Sequence, residues 1–139
     1  DVRLLRDITV KEAMNPSPIP ISVNMRLDQL RDLIYDRGFN SFPVVNPSGR
    51  LEGILSLSDW KSAFKRGDDT LTAGDIATRS VVSVTSRESL FSALAKITAG
   101  DFAILPVVER DQPDKLVGVI SRTDIMRAFN SVILKRSEG

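Results

Sequence analysis

The chain has 139 residues, 42% of them hydrophobic, and its 19 basic and 18 acidic side chains leave a net charge of +1. That supports one ordinary core rather than two large ones, and so even a charge gives no footprint for a nucleic acid. With neither Cys nor His in the chain, disulfides and thiol catalysis are excluded, and the usual general base and the commonest metal ligand are missing. No catalytic residue, metal site or required cofactor is therefore expected, and the composition fits a reducing, cytoplasmic setting. No apolar run approaches the roughly 20 residues that span a bilayer, so no direct membrane insertion is expected.

In chain order, Thr9 followed by Glu12 is a capping-box signature and predicts a short helix there. Prolines 16, 18 and 20 then forbid helix and favour an extended run into Ile21. Leu27, Leu30, Leu33 and Ile34 stand at helical spacing, with Gly38 as a C-terminal stop. Phe42–Val45 is an apolar run of the buried-strand type, and Asn46-Pro47-Ser48-Gly49 turns it into a second strand through Leu55. A further helix is predicted from Ser56 or Ser58 through Trp60, Ala63 and Phe64, with Trp60 packed in a core or against a second copy.

The same order then returns. Thr72 and Asp75 repeat the first helix start, Val81–Val84 reads as a strand, and Leu90, Ala93, Leu94 and Ile97 make a helix stopped near Gly100. Leu105–Val108 repeats Phe42–Val45 at a shift of 63, and Gly118–Ile125 (GVISRTDI) repeats Gly53–Trp60 (GILSLSDW) at a shift of 65. The two extra residues fall in the polar stretch after Val108, where a surface turn tolerates insertion. The chain is a duplicated module of mixed α/β (α+β) class, one copy in 7–66 and the other in 71–130. Each copy of roughly 60 residues is marginal alone, so the copies are expected to pack on each other.

Carried by the hydrophobic-Pro-Val-Val strand, the Gly-x-hydrophobic-Ser-x-Ser/Thr-Asp element and the two-copy layout, the chain resembles a tandem pair of CBS modules (a Bateman module). The resemblance implies two β-α-β-β-α modules packed through their sheets, with two clefts that bind an adenosine nucleotide such as AMP, ADP or ATP as a regulatory ligand. By position, one cleft would join Ser121, Arg122, Thr123 and Asp124 to Ile19, Ile21, Phe39, Asn40, Ser41 and Phe42. Asp124 would hold the ribose, Arg122 would meet a phosphate, the backbone of Asn40–Phe42 would meet the base edge, and Phe39 would stack on it. The other would join Ser56, Ser58, Asp59 and Thr78 to Val82, Val84, Phe102, Ala103, Ile104 and Leu105. Asn15 replaces the family's usual Thr before the first opening strand, whereas the second copy keeps Thr78. Of the two clefts, the one with Asp124 is the expected binder.

The residues suit this on their own terms. An aspartate early in a helix can accept two bonds from a ribose diol, and the N–H groups of a helix start favour a phosphate. The plain alternative is that Ser56-x-x-Asp59 and Ser121-x-x-Asp124 are helix caps and nothing more, in a structural or dimerising module. Leu4–Ile8 and Ser121–Phe129 look similar to the cytoplasmic CBS tails of prokaryotic ClC-type chloride channels and transporters. The CBS resemblance implies a homodimer and the ClC resemblance an effector outside this chain; a free-standing CBS protein is the rival.

Overall fold

The structure is a computed structural model that describes residues 2–37 and 40–138. Two of the sequence expectations, the Gly38 stop and the Phe39 stack, lie outside the described residues. By its internal contacts the chain divides into two compact units, Ile19–Val81 and Asp1–Pro18 with Val82–Gly139. The units do not follow the sequence repeat, because each takes its leading segment from the other copy.

The Ile19–Val81 unit holds strand β1 (Ile21–Ser22), helix α3 (Leu27–Arg37), the hairpin β2 (Ser41–Val45) and β3 (Leu51–Ser56), helix α4 (Leu57–Lys65) and the short helix α5 (Ala73–Ile76). The other holds α1 (Val2–Asp7), α2 (Val10–Ala13), β4 (Val84–Thr85), α6 (Leu90–Gly100), β5 (Ile104–Val108), β6 (Leu116–Ser121) and α7 (Arg122–Glu138). Each unit has a three-stranded sheet in chain order, parallel then antiparallel. The mixed α+β class is thus observed.

Proline sits inside both central strands without a lost bond. Pro43 pairs with Ile54, and β1 begins only opposite Val44, so no partner waits for the N–H that proline lacks. Pro106 stands in the same relation to Val119 and to β4. The opening strands are shorter than the sequence suggests, and Val81–Ser83 precede β4 rather than join it.

In the Ile19–Val81 unit Ile21, Leu30, Phe42, Val44, Leu55, Trp60 and Ala63 form the core. Trp60 is 4% exposed and its Nε1–H donates to the Leu27 carbonyl at 2.9 Å. Its ring stacks on Phe64 at 5.0 Å between centroids, and Arg31 lies 5.7 Å from the centroid of the Phe64 ring. Trp60 is therefore a core side chain of its own unit.

In the other unit Leu4 and Ile8 of the leading segment enter the core with Val10, Val84, Leu90, Ile97, Leu105 and Ile120. Ile8 also accepts the Leu90 N–H at 2.9 Å, and Arg6 lies over Phe91 at 4.3 Å. The predicted short helix is α2, with the Thr9 N–H and hydroxyl both donating to the Glu12 carboxylate at 2.7 and 2.9 Å. Those two bonds hold the Glu12 carboxyl below the usual range.

Glu88 knots this unit together ahead of α6. Partial burial works against its charge, but the Thr85 N–H at 2.6 Å, Lys96 at 3.0 Å and the Ser92 hydroxyl at 2.8 Å outweigh it and hold the carboxyl below its ordinary range. Lys96 also donates to the Ser83 carbonyl at 3.0 Å. The first copy has Met25 and Leu33 at these two positions, so the knot is special to the second.

Helix α6 ends at Gly100, where the spacing expects its stop, and Asp101 beyond it takes the left-handed conformation with φ 51°. The exposed Phe102 ring folds back over Gly100, so a side chain there would have to push the ring aside. Among the described residues no helix is long and apolar enough to cross a membrane.

Candidate functional site

Each unit carries one polar constellation at the point where its third strand becomes a helix. In the Ile19–Val81 unit Ser56 is the N-cap of α4. Its Oγ accepts the Asp59 N–H at 3.2 Å, its own N–H donates to an Asp59 carboxylate oxygen at 3.4 Å, and Ser58 Oγ lies 3.1 Å from Ser56 Oγ. In the other unit Ser121 and Asp124 make the same reciprocal pair at 3.2 and 2.9 Å. Both capping boxes are therefore formed, as the spacing predicts.

A second segment docks beside each cap. Thr78 bridges Ile54 in antiparallel fashion, its N–H donating to the Ile54 carbonyl at 2.8 Å and its carbonyl accepting the Ile54 N–H at 2.9 Å. That places Thr78 beside the strand only two residues before Ser56. Asn15 bridges Val119 in the same way, at 2.9 and 3.0 Å, two residues before Ser121. Both approaches depend on glycine. A Cβ on Gly53 would lie 2.9 Å from the Thr78 carbonyl oxygen, and one on Gly118 would lie 2.8 Å from that of Asn15. The glycine that opens each repeated signature is thus a packing requirement of the docked segment.

The constellations differ in their cations. Arg79 donates to Glu52 at 2.7 Å and to the Gly74 carbonyl at 2.9 Å, so it is committed within its own unit rather than offered to a phosphate. Arg127 donates to the second oxygen of Asp124 at 3.3 Å, and Asp124 is 17% exposed where Arg127 is 72% exposed. Sequence reasoning missed both contacts. The Asp124–Arg127 pair had a signal in its spacing of three on a helix, whereas nothing in the sequence joins Arg79 to Glu52.

The remaining expected site residues divide as follows. Ile21, Phe42, Val84 and Leu105 are at most 2% exposed, so their side chains belong to the cores and only their backbone is left for a ligand. Ile19 and Val82 are exposed at 37% and 41%. Asn40, Ala103, Arg122, Thr123 and Ser58 are exposed, and Ser41 and Ile104 are half-buried opposite Ser56 and Ser121 in the ladders. The Asn40 carbonyl accepts the Leu57 N–H at 2.7 Å, so it helps to start α4. Phe102 is exposed with its ring over Gly100. Each set expected for one cleft therefore draws residues from both units, and in the Asp59 set the polar residues Ser56, Ser58, Asp59 and Thr78 share one unit.

The two units share one strand-helix-strand-strand-helix order, each with a Ser-x-x-Asp cap where its third strand becomes a helix. The family profile for the CBS domain matches residues 10–66 and 73–131, and the chain belongs to that family. It is similar to the CBS domain pair of protein MJ0100 solved with 5′-methylthioadenosine and S-adenosyl-L-methionine, at 25% identity and a TM-score of 0.72, over 89% of this chain and 97% of that one. It is also similar in fold to CBSX2 solved with AMP, at 24% identity and a TM-score of 0.79, over 90% of this chain and 98% of the other. Among curated proteins it is 26% identical over 120 residues to the L-aspartate semialdehyde sulfurtransferase of Methanocaldococcus jannaschii, matching 86% of this chain and 23% of that protein. The chain spans about a quarter of the length of the first curated relatives it matches.

Proposed function

We propose that this chain is a non-catalytic sensor of an adenosine-containing ligand, read through the half-sites around Asp59 and Asp124. The observation that carries this is the repeated placement of a capped, half-buried aspartate beside a docked segment, once in each unit. An aspartate fixed by its own cap is already ordered, and it can accept a ribose diol through charge-assisted bonds with little further loss of freedom. The α4 and α7 starts add N–H groups that favour a phosphate or carboxylate carried by the same ligand. The 25%-identical CBS pair solved with 5′-methylthioadenosine and S-adenosyl-L-methionine supports the adenosine class and widens it beyond AMP, ADP and ATP.

The effector belongs to whatever the unit is joined to. In the sulfurtransferase named above the match covers only 23% of the protein, so any catalysis is placed with the attached part. A ClC-type channel as effector rests on the resemblance of Leu4–Ile8 and Ser121–Phe129 alone, and dimerisation of the chain, like a cytoplasmic setting, belongs to the same proposal. Ligand can bias an effector only by its different affinity for two states of this unit. The rival reading, a purely structural module, is favoured by the fact that both caps are complete without a ligand.

Thermal unfolding separates the two. With AMP, ATP, 5′-methylthioadenosine or S-adenosylmethionine at about 100 times its dissociation constant, the folded state gains about 2.7 kcal/mol, a rise of several degrees. GTP is expected to give no rise. Folded protein that shifts with none of these ligands would leave the structural module.

A further inference from the structure

We infer that the half-site around Asp59 is the tighter of the two and that Arg79 is the positioning residue that makes it so, an inference that rests on the adenosine reading above. Three differences between the units point the same way.

The first is the docked segment. Arg79 ties Glu52 on β3 to the Gly74 carbonyl in helix α5, four residues before Thr78. Thr78, which lies between Gly74 and Arg79, is thus held by the Ile54 bridge on one side and by this guanidinium clamp on the other. At the matching positions of the other unit stand Pro16 for Arg79, Val117 for Glu52 and Lys11 for Gly74, so Asn15 has the strand bridge without a clamp.

The second is the carboxylate. A ribose diol asks for both carboxylate oxygens. Among the described residues Asp59 gives one oxygen to its cap, and its other has no partner. Asp124 gives one oxygen to its cap and the other to Arg127. The position that corresponds to Arg127 is Ser62. A pair as exposed as Asp124–Arg127 is weak, so its displacement lowers affinity by about fivefold at most.

The third is the leading polar side chain. The Asn15 amide oxygen already accepts the Ser17 N–H at 3.0 Å, whereas the exposed Thr78 hydroxyl has no such bond among the described residues. A preordered segment, an open carboxylate oxygen and an open hydroxyl all lie with Asp59. This reverses the order expected from the sequence, where Asp124 was favoured.

Calorimetric titration of the whole chain with 5′-methylthioadenosine is expected to resolve a tight and a weak step at least tenfold apart. Asp59→Asn removes the tight step and Asp124→Asn leaves it. Arg79→Met weakens the tight step about tenfold and leaves the weak step and the ligand-free melting temperature nearly unchanged, and Arg79→Lys recovers part of the loss. A clamp of merely structural importance would move the melting temperature and both steps together. In ligand-free protein Arg79→Met also speeds hydrogen exchange of the Thr78 amide about tenfold and leaves the Asn15 amide unchanged. Loss of the tight step in Asp124→Asn, or an unaltered tight step in Arg79→Met, would overturn the inference while leaving the adenosine reading intact. A wild-type chain that takes up no ligand overturns the adenosine reading and the ranking of half-sites with it, and the Thr78 exchange rate still decides whether the clamp exists.

Discussion

Replacing Trp60 with alanine is expected to cost about 3–5 kcal/mol of stability, the range for removing a large buried aromatic. The side chain is 4% exposed and shares a core with Leu27, Leu30, Phe42, Leu55 and Ala63. Its removal leaves a cavity, releases the Leu27 carbonyl from the indole N–H and strips Phe64 of its stacking partner. For a chain of this length, that corresponds to a fall in melting temperature of about 10–20 °C. Trp60→Phe keeps most of the volume and loses the hydrogen bond, so its cost is about 1–2 kcal/mol. Chemical denaturation of the two variants would measure both. Equal, small losses would mean that Trp60 is not the anchor of α4 on its own unit.

Gly53→Val comes next in size, at about 3 kcal/mol, because overpacking here meets backbone rather than a flexible side chain. The new Cβ would lie 2.9 Å from the Thr78 carbonyl oxygen and 3.1 Å from the Ala77 Cβ. Relief requires Thr78 to move off β3, which breaks both hydrogen bonds of the Ile54 bridge. Gly53→Ala makes the same collision with less bulk and should cost about 1–2 kcal/mol. Gly49 offers the control for space: nothing lies within 4 Å of a Cβ there, although its φ of 81° makes any side chain strained. Denaturation with hydrogen exchange at Thr78 reads out both the loss and its cause. A stable Gly53→Val variant with Thr78 still protected would show that the close approach does not limit the fold.

Most of the fold was legible because its information is written twice. The repeat fixed the element order, and the caps at Ser56 and Ser121 followed from spacing that serves the backbone locally. What stayed hidden is long-range. Nothing in the sequence says that Asn15 pairs with Val119 or Thr78 with Ile54, and it is these bridges that give each unit the leading segment of the other copy. Gly100 ends α6 as the spacing expects, but the left-handed residue is Asp101 rather than the glycine, which no local pattern gives.

The site was legible by residue type and less so by role. Strand alternation implies that residues such as Ile21, Phe42, Val84 and Leu105 point inward, and they are core side chains rather than a lining. The structure commits Arg79 to Glu52 and to the Gly74 carbonyl, and the Glu52 contact spans 27 residues that no local pattern joins.

The most direct test of the central claim is a titration of 5′-methylthioadenosine against its 2′,3′-dideoxy counterpart. The two differ only in the ribose diol, which is the group assigned to the aspartates. Binding of the parent compound with a loss of about 10- to 100-fold for the dideoxy compound is expected, the span of one or two charge-assisted hydrogen bonds. Equal binding of both would contradict a carboxylate-read ribose.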